Sequence, residues 1–330
     1  MSSVGTGTFW SGKHVLVTGA SGLVGALLSR RLVEAGASVV ALVRDVDPQS
    51  ELYRSGLVAR VNVVNGRLED YAAVERAITD HEVDTVFHLG AQTIVGSARR
   101  APLQAFETNI RGTWHVLEAA RHHGGLVRRV VVASSDKAYG DHPDLPYREG
   151  HPLRGRAPYE VSKSCADLIA QSYFHTYATP VAVVRCGNIY GPGDLNWSRL
   201  VPGTIRSLIR GEQPLIRSDG TFLRDYLYVD DVAAAYLQVA EAVTEAGAAG
   251  EDYNVSDESP RSVLAMYDAV CQAMGREDVE PLVLNEASGE IRDQFLDASK
   301  ARDRLGWRPA WTLEDALRET VAWYRDLLGS

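Results

Sequence analysis

Short aliphatic runs alternate with segments of helical period over the first two-thirds of the chain. The runs are HVLVTG (14–19), SVVALV (38–43), VNVV (61–64), DTVFHLG (84–90), VRRVVVASS (127–135) and VAVVRC (181–186). Strands that are apolar throughout and separated by helices are typical of a parallel sheet that helices cover on both faces. The sequence therefore predicts an α/β fold built on a doubly wound parallel sheet.

The composition of the sequence changes at Gly187. From there, segments rich in glycine, proline and charged residues interrupt the alternation of strands and helices. Such segments usually form long loops that carry function. Beyond them, a further helical pattern and the apolar run DYNVS can return to the sheet. We therefore predict one domain formed by 12–188 with 229–258, and a smaller C-terminal α/β region formed by 189–228 with 259–330.

The net charge and the cysteine content argue against several classes of protein. The 330 residues carry a formal net charge of −9, which argues against a basic surface that tracks nucleic-acid phosphates. Cys165, Cys186 and Cys271 are odd in number and far apart, which favours reduced thiols over a disulfide framework or a zinc site. No apolar run reaches the roughly 18 residues that span a bilayer. We expect a cytoplasmic protein that binds neither nucleic acid nor membrane.

Three glycines follow the first aliphatic run, at the junction where a strand enters a helix. In TGASGLVG (18–25) they are Gly19, Gly22 and Gly25, spaced G-x-x-G-x-x-G. Small residues at this junction let the backbone approach a pyrophosphate, and the free amides at the start of the helix can bind it. Turns of many kinds collect glycine, but this position in an alternating chain predicts dinucleotide binding in a Rossmann fold.

The residue after the second strand discriminates between the two nicotinamide cofactors. An acidic residue there binds the ribose hydroxyls of NAD, whereas an arginine accommodates the extra phosphate of NADP. The chain has Val43 at the expected position of the acid, followed by Arg44 and Asp45. This order favours NADP over NAD, although a solvated Arg–Asp pair explains the same residues.

A tyrosine and a lysine stand four residues apart at the start of a long helical pattern. Tyr159 and Lys163 therefore lie on one helical face. An ammonium group lowers the pKa of a nearby phenol, and such a tyrosine can remove a hydroxyl proton while the same carbon releases hydride. Ser135, at the end of a strand, can hydrogen-bond the oxygen of the same substrate hydroxyl. Together with the glycine turn, these residues predict oxidation of an alcohol.

Further motifs follow in a fixed order along nearly the whole chain. They are TGASGLVG (18–25), FHLGAQ (87–92), NIRGT (109–113), SSDKAYG (134–140), YEVSK (159–163), RCGNIYGPGD (185–194), RDYLYVDD (224–231) and LDASKARDRLGWRP (296–309). In this combination the chain resembles the extended short-chain dehydrogenase/reductase family, which contains the nucleotide-sugar epimerases and dehydratases. The resemblance implies that the first domain binds the dinucleotide and that the C-terminal region binds a nucleotide-diphosphate sugar.

Asp136 and Lys137, directly after the serine, narrow the resemblance to CDP-glucose 4,6-dehydratases. Once carbon 4 of a hexose is a ketone, water can leave across carbons 5 and 6 if one group removes the carbon-5 proton and another protonates the carbon-6 hydroxyl. The resemblance implies Asp136 as that acid and Lys137 as that base, with the hydride then returned to carbon 6. The cofactor, NADP or NAD, is expected to stay tightly bound and to be regenerated in each turnover. A surface Asp–Lys pair that caps the strand is the alternative.

The resemblance also implies a set of binding residues. Arg224 is expected to reach the substrate diphosphate, where a planar guanidinium can make paired hydrogen bonds. The expected substrate-binding residues are Gln92, Thr93, Asn188, Arg199, Arg224 and Arg292. The expected cofactor-binding residues are Gly19, Ser21, Gly22, Leu23, Val24, Gly25, Arg44, Leu68, Leu89, Ala91, Asn109, Tyr159 and Lys163.

Two other functions stay open on the sequence. A nucleotide-sugar epimerase can use the same transient oxidation to invert one centre without losing water, and a non-catalytic sensor can bind a dinucleotide and report redox state. No metal site is expected, because His88 lies in an apolar strand and the His122–His123 pair ends a helical pattern. The apolar faces of TWHVLEAARHH and YEVSKSCADLIAQSY fit a homodimer seam, as the resemblance also implies, or packing within one chain.

Overall fold

The computed structural model describes residues 9–286 and 289–329, in which strands alternate with helices. In chain order the strands are β1 (His14–Thr18), β2 (Ser38–Val43), β3 (Asn62–Asn65), β4 (Thr85–His88), β5 (Arg129–Ala133), β6 (Val181–Cys186), β7 (Asn188–Tyr190), β8 (Leu215–Ile216), β9 (Leu223–Arg224), β10 (Tyr226–Tyr228), β11 (Asp252–Val255), β12 (Arg261–Ser262) and β13 (Leu282–Val283). The helices are α1 (Leu23–Glu34), α2 (Glu51–Arg54), α3 (Tyr71–Thr79), α4 (Val95–Arg100), α5 (Pro102–Phe106), α6 (Gly112–His122), α7 (Pro158–Tyr177), α8 (Leu200–Arg210), α9 (Val229–Glu245), α10 (Val263–Met274), α11 (Ser299–Leu305) and α12 (Leu313–Leu328). Short 3₁₀ turns span Leu57–Arg60 and Asp136–Tyr139, and a π-helical turn spans Glu107–Arg111.

Seven strands form the central sheet in the order β11-β6-β5-β4-β1-β2-β3, and the neighbours in this order pair in parallel. Val15 of β1 pairs with Val39 of β2 on one side and with Thr85 of β4 on the other. The strand order therefore reverses between β1 and β4, and loops at the carboxyl ends of the strands form a binding crevice at such a point. The predicted doubly wound α/β fold is confirmed.

The apolar runs locate the strands to within a few residues. β2 and β6 cover their predicted runs in full, β3 is shifted by one residue, and β5 ends at Ala133, two residues before the run does. The strand stops there because Ser135 caps the following 3₁₀ turn, its hydroxyl oxygen accepting a hydrogen bond from the Lys137 amide. The run DYNVS forms β11 at the edge of the sheet, beside β6. The division into two domains stays a prediction.

Helices cover both faces of the sheet with apolar side chains. Successive residues of a strand point to opposite faces, so Val17 of β1 packs on one side with α1 and α9. Leu16 packs on the other side with α3, α6 and α7. In the part of the chain that the structure describes, no helix combines the length and the apolar composition needed to cross a membrane.

The C-terminal region has its own apolar cluster. Helices α8, α10 and α12 meet around Ile205, Met266 and Leu317, and three short strand pairs, β7–β10, β8–β13 and β9–β12, border this cluster. Asn188, the first residue of β7, follows β6 after a single residue. The second region therefore starts at the carboxyl edge of the main sheet, where it forms one wall of a cleft.

A buried arginine joins β6 to its neighbours. Arg185 is 1% exposed, and its guanidinium donates to the Asp167 carboxylate of α7 at 2.8 and 2.9 Å. It also forms an ion pair with Asp252 of β11 at 2.6 Å and donates to the Tyr139 hydroxyl at 2.7 Å. Because Asp167 is fully buried, removal of the arginine leaves a carboxylate with neither its cationic partner nor water.

We expect Arg185→Leu to lower the free energy of unfolding by about 3–5 kcal/mol, the usual cost of an uncompensated buried charge. Urea unfolding followed by circular dichroism measures this change. The matched control is Arg318→Leu, which removes an exposed arginine paired with Glu314 and Asp315 and is expected to cost less than about 1 kcal/mol. An equal loss of unfolding free energy in the two variants would show that burial does not determine the effect of removing the arginine.

Candidate active site

The three glycines form a backbone cradle at the carboxyl end of β1. Gly19 has a φ of +72°, and a Cβ there would lie 2.8 Å from the amide nitrogen of Gly90. A Cβ on Gly25 would lie 2.1 Å from the Gly19 carbonyl oxygen. Gly22 precedes α1, whose first turn carries no acidic side chain. The cradle fits a pyrophosphate, because side chains are missing where it must approach and the positive end of a helix faces it.

A cleft of about 940 Å³ runs from this cradle along the carboxyl edge of the sheet. The structure brings together on its wall residues from the ends of several strands. Those predicted for the cofactor or catalysis are Gly19, Ser21, Gly22, Leu23, Val24, Gly25, Arg44, Leu68, Leu89, Ala91, Ser135, Lys137, Tyr159 and Lys163, and those predicted for the substrate are Thr93, Asn188 and Arg199.

Three predicted binding residues lie off this wall. Asn109 is buried and bonds within the protein, accepting from the Gln92 amide at 2.7 Å and donating to the Gln92 carbonyl at 3.1 Å and to the Ser162 hydroxyl at 2.8 Å. Arg292 is 69% exposed and faces Asp293 at 3.8 Å. The cofactor contact predicted for Asn109 and the substrate contacts predicted for Gln92 and Arg292 stay predictions. In this structure the Asn109 side chain holds the loop after β4 through the Gln92 backbone, and Arg292 is mostly exposed.

The end of β2 carries an ion pair in place of a single recognition residue. Arg44 Nε donates to Asp45 Oδ2 at 2.5 Å, and both side chains are about half exposed or more, at 49% and 64%. Both residues line the cleft near Leu42 and Gly66. The arginine predicted to meet an extra cofactor phosphate is thus already paired with a carboxylate.

Asp136 and Lys137 lie beside Ser135 in the 3₁₀ turn after β5. Asp136 Oδ1 accepts a hydrogen bond from Ser135 Oγ at 2.9 Å and lies 3.4 Å from Lys137 Nζ. The same ammonium nitrogen lies 3.4 Å from Asn188 Oδ1. Asp136 is 1% exposed, and its Oδ2 has no hydrogen-bond partner among the described residues. Asp136 is therefore not part of a surface ion pair. A buried carboxylate oxygen without a hydrogen bond lowers the stability of the fold unless a bound ligand donates a hydrogen bond to it.

Tyr159 and Lys163 are both buried, with 8% and 5% exposure. Burial raises the pKa of the Tyr159 phenol to about 12, and the Asp136 carboxylate raises it further. Burial lowers the pKa of Lys163 to about 8, and its Nζ donates to the Ala133 carbonyl at 2.8 Å. The net shift is therefore opposite to the lowering expected from the sequence, because desolvation of the phenolate and the Asp136 charge outweigh Arg199 and the Ser135 hydrogen bond, which lower the pKa.

A second cavity, of about 220 Å³, continues the cleft beyond Lys137 and Asn188. Arg224, predicted for the substrate diphosphate, and Arg199, predicted for the substrate, both border it. Arg224 donates to the carbonyls of Leu223, Ile291 and Arg292 at 2.8, 2.6 and 2.5 Å. Arg199 pairs with Asp194 at 3.0 Å. Each guanidinium has five N–H donors, so both arginines keep donors that a diphosphate bound here can use.

The sequence analysis missed several charged residues of the cleft wall, among them Arg99, Arg217 and Asp194. Arg99 of α4 donates to the Gly289 carbonyl at 2.5 Å and so joins the two regions across the cleft. Neither Arg99 nor Arg217 belongs to a recognisable motif, so no sequence signal marks them. Asp194 closes the motif RCGNIYGPGD, and its acidic character was the available signal.

The fold and the site together define a class. A doubly wound sheet, a glycine cradle at the strand reversal and a buried serine, tyrosine and lysine at the carboxyl edge are the features of a dinucleotide-binding protein of the short-chain dehydrogenase type. The chain belongs to the NAD dependent epimerase/dehydratase family, whose model matches residues 15–256. The family predicted from the motifs is thereby confirmed.

Relatives of known activity match along almost the full length. The CDP-glucose 4,6-dehydratase of Salmonella typhimurium is 31% identical and covers 96% of this chain and 92% of its own. A dTDP-glucose 4,6-dehydratase of Xanthomonas campestris pv. campestris is 30% identical, with coverage of 94% and 92%. Among solved structures, the UDP-glucose 4-epimerase of Thermotoga maritima with UDP-glucose has a TM-score of 0.86 and 29% identity, covering 96% and 99%. The dTDP-glucose 4,6-dehydratase of Streptomyces venezuelae with NAD bound has a TM-score of 0.85 and 27% identity, covering 96% and 98%.

Proposed function

We propose that this chain removes water across carbons 5 and 6 of a nucleotide-diphosphate hexose, as a 4,6-dehydratase similar to those that act on CDP-glucose. The observation that carries the proposal is the Asp136–Lys137 contact beside Ser135, with a buried carboxylate oxygen that lacks a protein partner. Two dehydratase relatives, at 31% and 30% identity, support the same class of reaction.

Each catalytic residue of the cleft has a separate role in the proposed reaction. Bound nicotinamide supplies the hydride acceptor for carbon 4 and the hydride donor for carbon 6. Tyr159 takes the proton of the carbon-4 hydroxyl as a phenolate, the form that the positive charge of a bound oxidised nicotinamide would favour, while Ser135 hydrogen-bonds the same hydroxyl oxygen. Lys137 takes the carbon-5 proton, and Asp136 gives a proton to the carbon-6 hydroxyl, which leaves as water. When hydride is returned to carbon 6, Lys137 gives a proton back to carbon 5. The product is a 4-keto-6-deoxy sugar, and the cofactor is unchanged after each turnover.

The Asp–Lys contact also explains how both reagents reach the required protonation state. The elimination needs Lys137 as a neutral amine and Asp136 as a neutral acid. Lys137 Nζ and Asp136 Oδ1 are 3.4 Å apart, so transfer of one proton along this contact produces both forms at once without a change in net charge. The transferred proton lies on Oδ1, which passes it to the carbon-6 hydroxyl. The other oxygen, Oδ2, has no hydrogen-bond partner among the described residues and can accept a hydrogen bond from the substrate.

We expect Asp136→Asn and Lys137→Ala each to slow water loss by about 10²–10⁴-fold, the usual contribution of a general acid or base. Oxidation at carbon 4 should persist, because Tyr159 and Ser135 are unchanged. Mass spectrometry of the sugar product measures the loss of one water, and nicotinamide absorbance measures the oxidation.

The matched control for these variants is Asp141→Asn, which changes an exposed acid four positions beyond Lys137. It should leave both steps unchanged. Full turnover by Asp136→Asn and by Lys137→Ala would remove the roles assigned to the pair.

Epimerisation is the second candidate, because the solved UDP-glucose 4-epimerase matches this fold with a TM-score of 0.86 and 29% identity. An epimerase needs the oxidation by Tyr159 but not an acid and a base at carbons 5 and 6. The two functions differ in product mass: a nucleotide sugar of unchanged mass with one inverted centre would support epimerisation and exclude dehydration for that substrate.

We infer that the cofactor is NAD, which revises the preference for NADP. Arg44 is paired with Asp45 at 2.5 Å, so an extra phosphate on the ribose would meet a carboxylate and would have to break an ion pair. Asp45 can instead accept hydrogen bonds from ribose hydroxyls. NAD bound in the solved dehydratase of Streptomyces venezuelae supports this choice.

Calorimetric titration of protein stripped of bound nucleotide should give an affinity for NAD at least about tenfold above that for NADP. Asp45→Ser should narrow this ratio, since it frees Arg44 for the phosphate. The control Asp303→Ser changes another exposed acid beside an arginine, and it should leave the ratio as it is. Equal affinity of the wild type for the two cofactors would contradict the inference.

We further propose a homodimer formed through α6 and α7. Trp114 of α6 and Leu168 of α7 expose apolar surface, at 39% and 53% exposure. Light scattering should give twice the mass of one chain, and Leu168→Asp should yield monomers, whereas Leu215→Asp, at an exposed leucine of β8, should not. A monomeric wild type would contradict this proposal.

The cytoplasm remains the proposed location. All three cysteines are free, which fits a reducing compartment. Fractionation of the source cells tests this location, and recovery outside the cytoplasm would contradict it.

A further inference from the structure

Three side chains of metal-binding type meet at the end of the sheet opposite the cleft. Glu75 lies near the end of α3, His122 ends α6, and His123 directly follows it. Both helices end where the chain returns to the amino ends of β4 and β5, whereas the cleft lies at the carboxyl ends. The cluster is therefore separate from the proposed active site.

The ligand atoms of these residues are already close to one another. One atom from each of the three side chains lies within 4.8 Å of the other two. Glu75 Oε1 lies 3.1 Å from His123 Nε2, and the two imidazole rings have centroids 4.9 Å apart. Ligands at zinc distances of 2.0–2.2 Å in a tetrahedron are separated from each other by roughly 3.4 Å. Small rotations of exposed or half-buried side chains suffice to reach that geometry.

The chemistry of the cluster favours a transition-metal dication. Two imidazoles and one carboxylate suit Zn²⁺ or Ni²⁺, whereas Mg²⁺ and Ca²⁺ prefer oxygen ligands alone. The negative end of the α6 dipole lies at the same place and attracts a cation. His123 Nε2 and the Tyr71 hydroxyl both donate hydrogen bonds to Glu75 Oε1, at 3.1 and 3.2 Å, and so orient this carboxylate towards the histidines.

We propose that Glu75, His122 and His123 bind a divalent transition-metal ion, with Zn²⁺ as the type case, and that the ion links the C-terminal ends of α3 and α6. Three protein ligands leave a fourth position for water. The proposal revises the expectation of no metal site at the His122–His123 pair, because the third ligand, Glu75, lies 48 residues from His123 in the sequence. An ion that binds only the folded protein stabilises it.

Zinc chloride titrated into the full chain, without a histidine tag and after treatment with EDTA, tests the proposal. Calorimetry should show one equivalent bound in the micromolar range, and saturating zinc should raise Tm by about 2–4 °C. His122→Asn and Glu75→Gln should each weaken zinc binding by about tenfold or more, because each removes a ligand. Because His122 is exposed, we expect His122→Asn to fold normally, so that a loss of zinc binding in this variant reports the loss of a ligand.

A second histidine pair provides the matched control. His142 and His151 stack with ring centroids 4.6 Å apart, but no third ligand group joins them within residues 9–286 and 289–329. His142→Asn should leave zinc binding unchanged, and magnesium chloride should give no response. Absence of zinc binding by the wild type, equal weakening by His142→Asn and His122→Asn, or unchanged affinity in both ligand variants would each overturn the proposal.

Discussion

The contact between the carboxyl ends of β1 and β4 is the constraint on which the cleft depends. Gly19 and Gly90 approach so closely that a Cβ on Gly19 would lie 2.8 Å from the Gly90 nitrogen. Thr18 holds this contact, since its hydroxyl oxygen accepts from the Gly90 amide at 3.0 Å and lies 2.9 Å from His88 Nδ1. The two loops that start here, after β1 and after β4, both line the cleft, so their spacing sets its width.

A series of hydrogen bonds connects this contact to α7, the helix that carries Tyr159 and Lys163. Burial lowers the pKa of His88 to about 3, so the ring is neutral and carries one N–H. Thr113 donates to the Asn109 carbonyl at 2.6 Å and must therefore accept from His88 Nε2, which leaves Nδ1 to accept from Thr18. Asn109 in turn donates to Ser162, which donates to the Tyr159 carbonyl at 2.7 Å. A continuous polar chain thus joins the glycine cradle to the start of α7.

The sequence predicted what depends on local pattern and missed what depends on long-range pairing. Apolar runs located the strands, and motif residues such as Ser135 and Lys163 do line one cleft. The role of Asn109 could not be predicted, because its amide is satisfied by Gln92 and Ser162, which only the fold brings beside it. The direction of the Tyr159 pKa shift was missed for a related reason: four-residue spacing identifies the ammonium neighbour but not the depth of burial.

The energetic cost of Asp136 is the strongest reason to favour dehydration over epimerisation. A buried carboxylate with one unpaired oxygen destabilises the fold and also raises the pKa of the Tyr159 phenol, which makes the shared oxidation step harder. An epimerase gains nothing that offsets either cost, because inversion at one carbon needs no acid at carbon 6. A dehydratase does gain, since Asp136, whose Oδ1 lies beside Lys137 and Ser135, is the acid proposed to protonate the departing hydroxyl. The arrangement is therefore best explained by a reaction in which Asp136 donates its proton to the substrate.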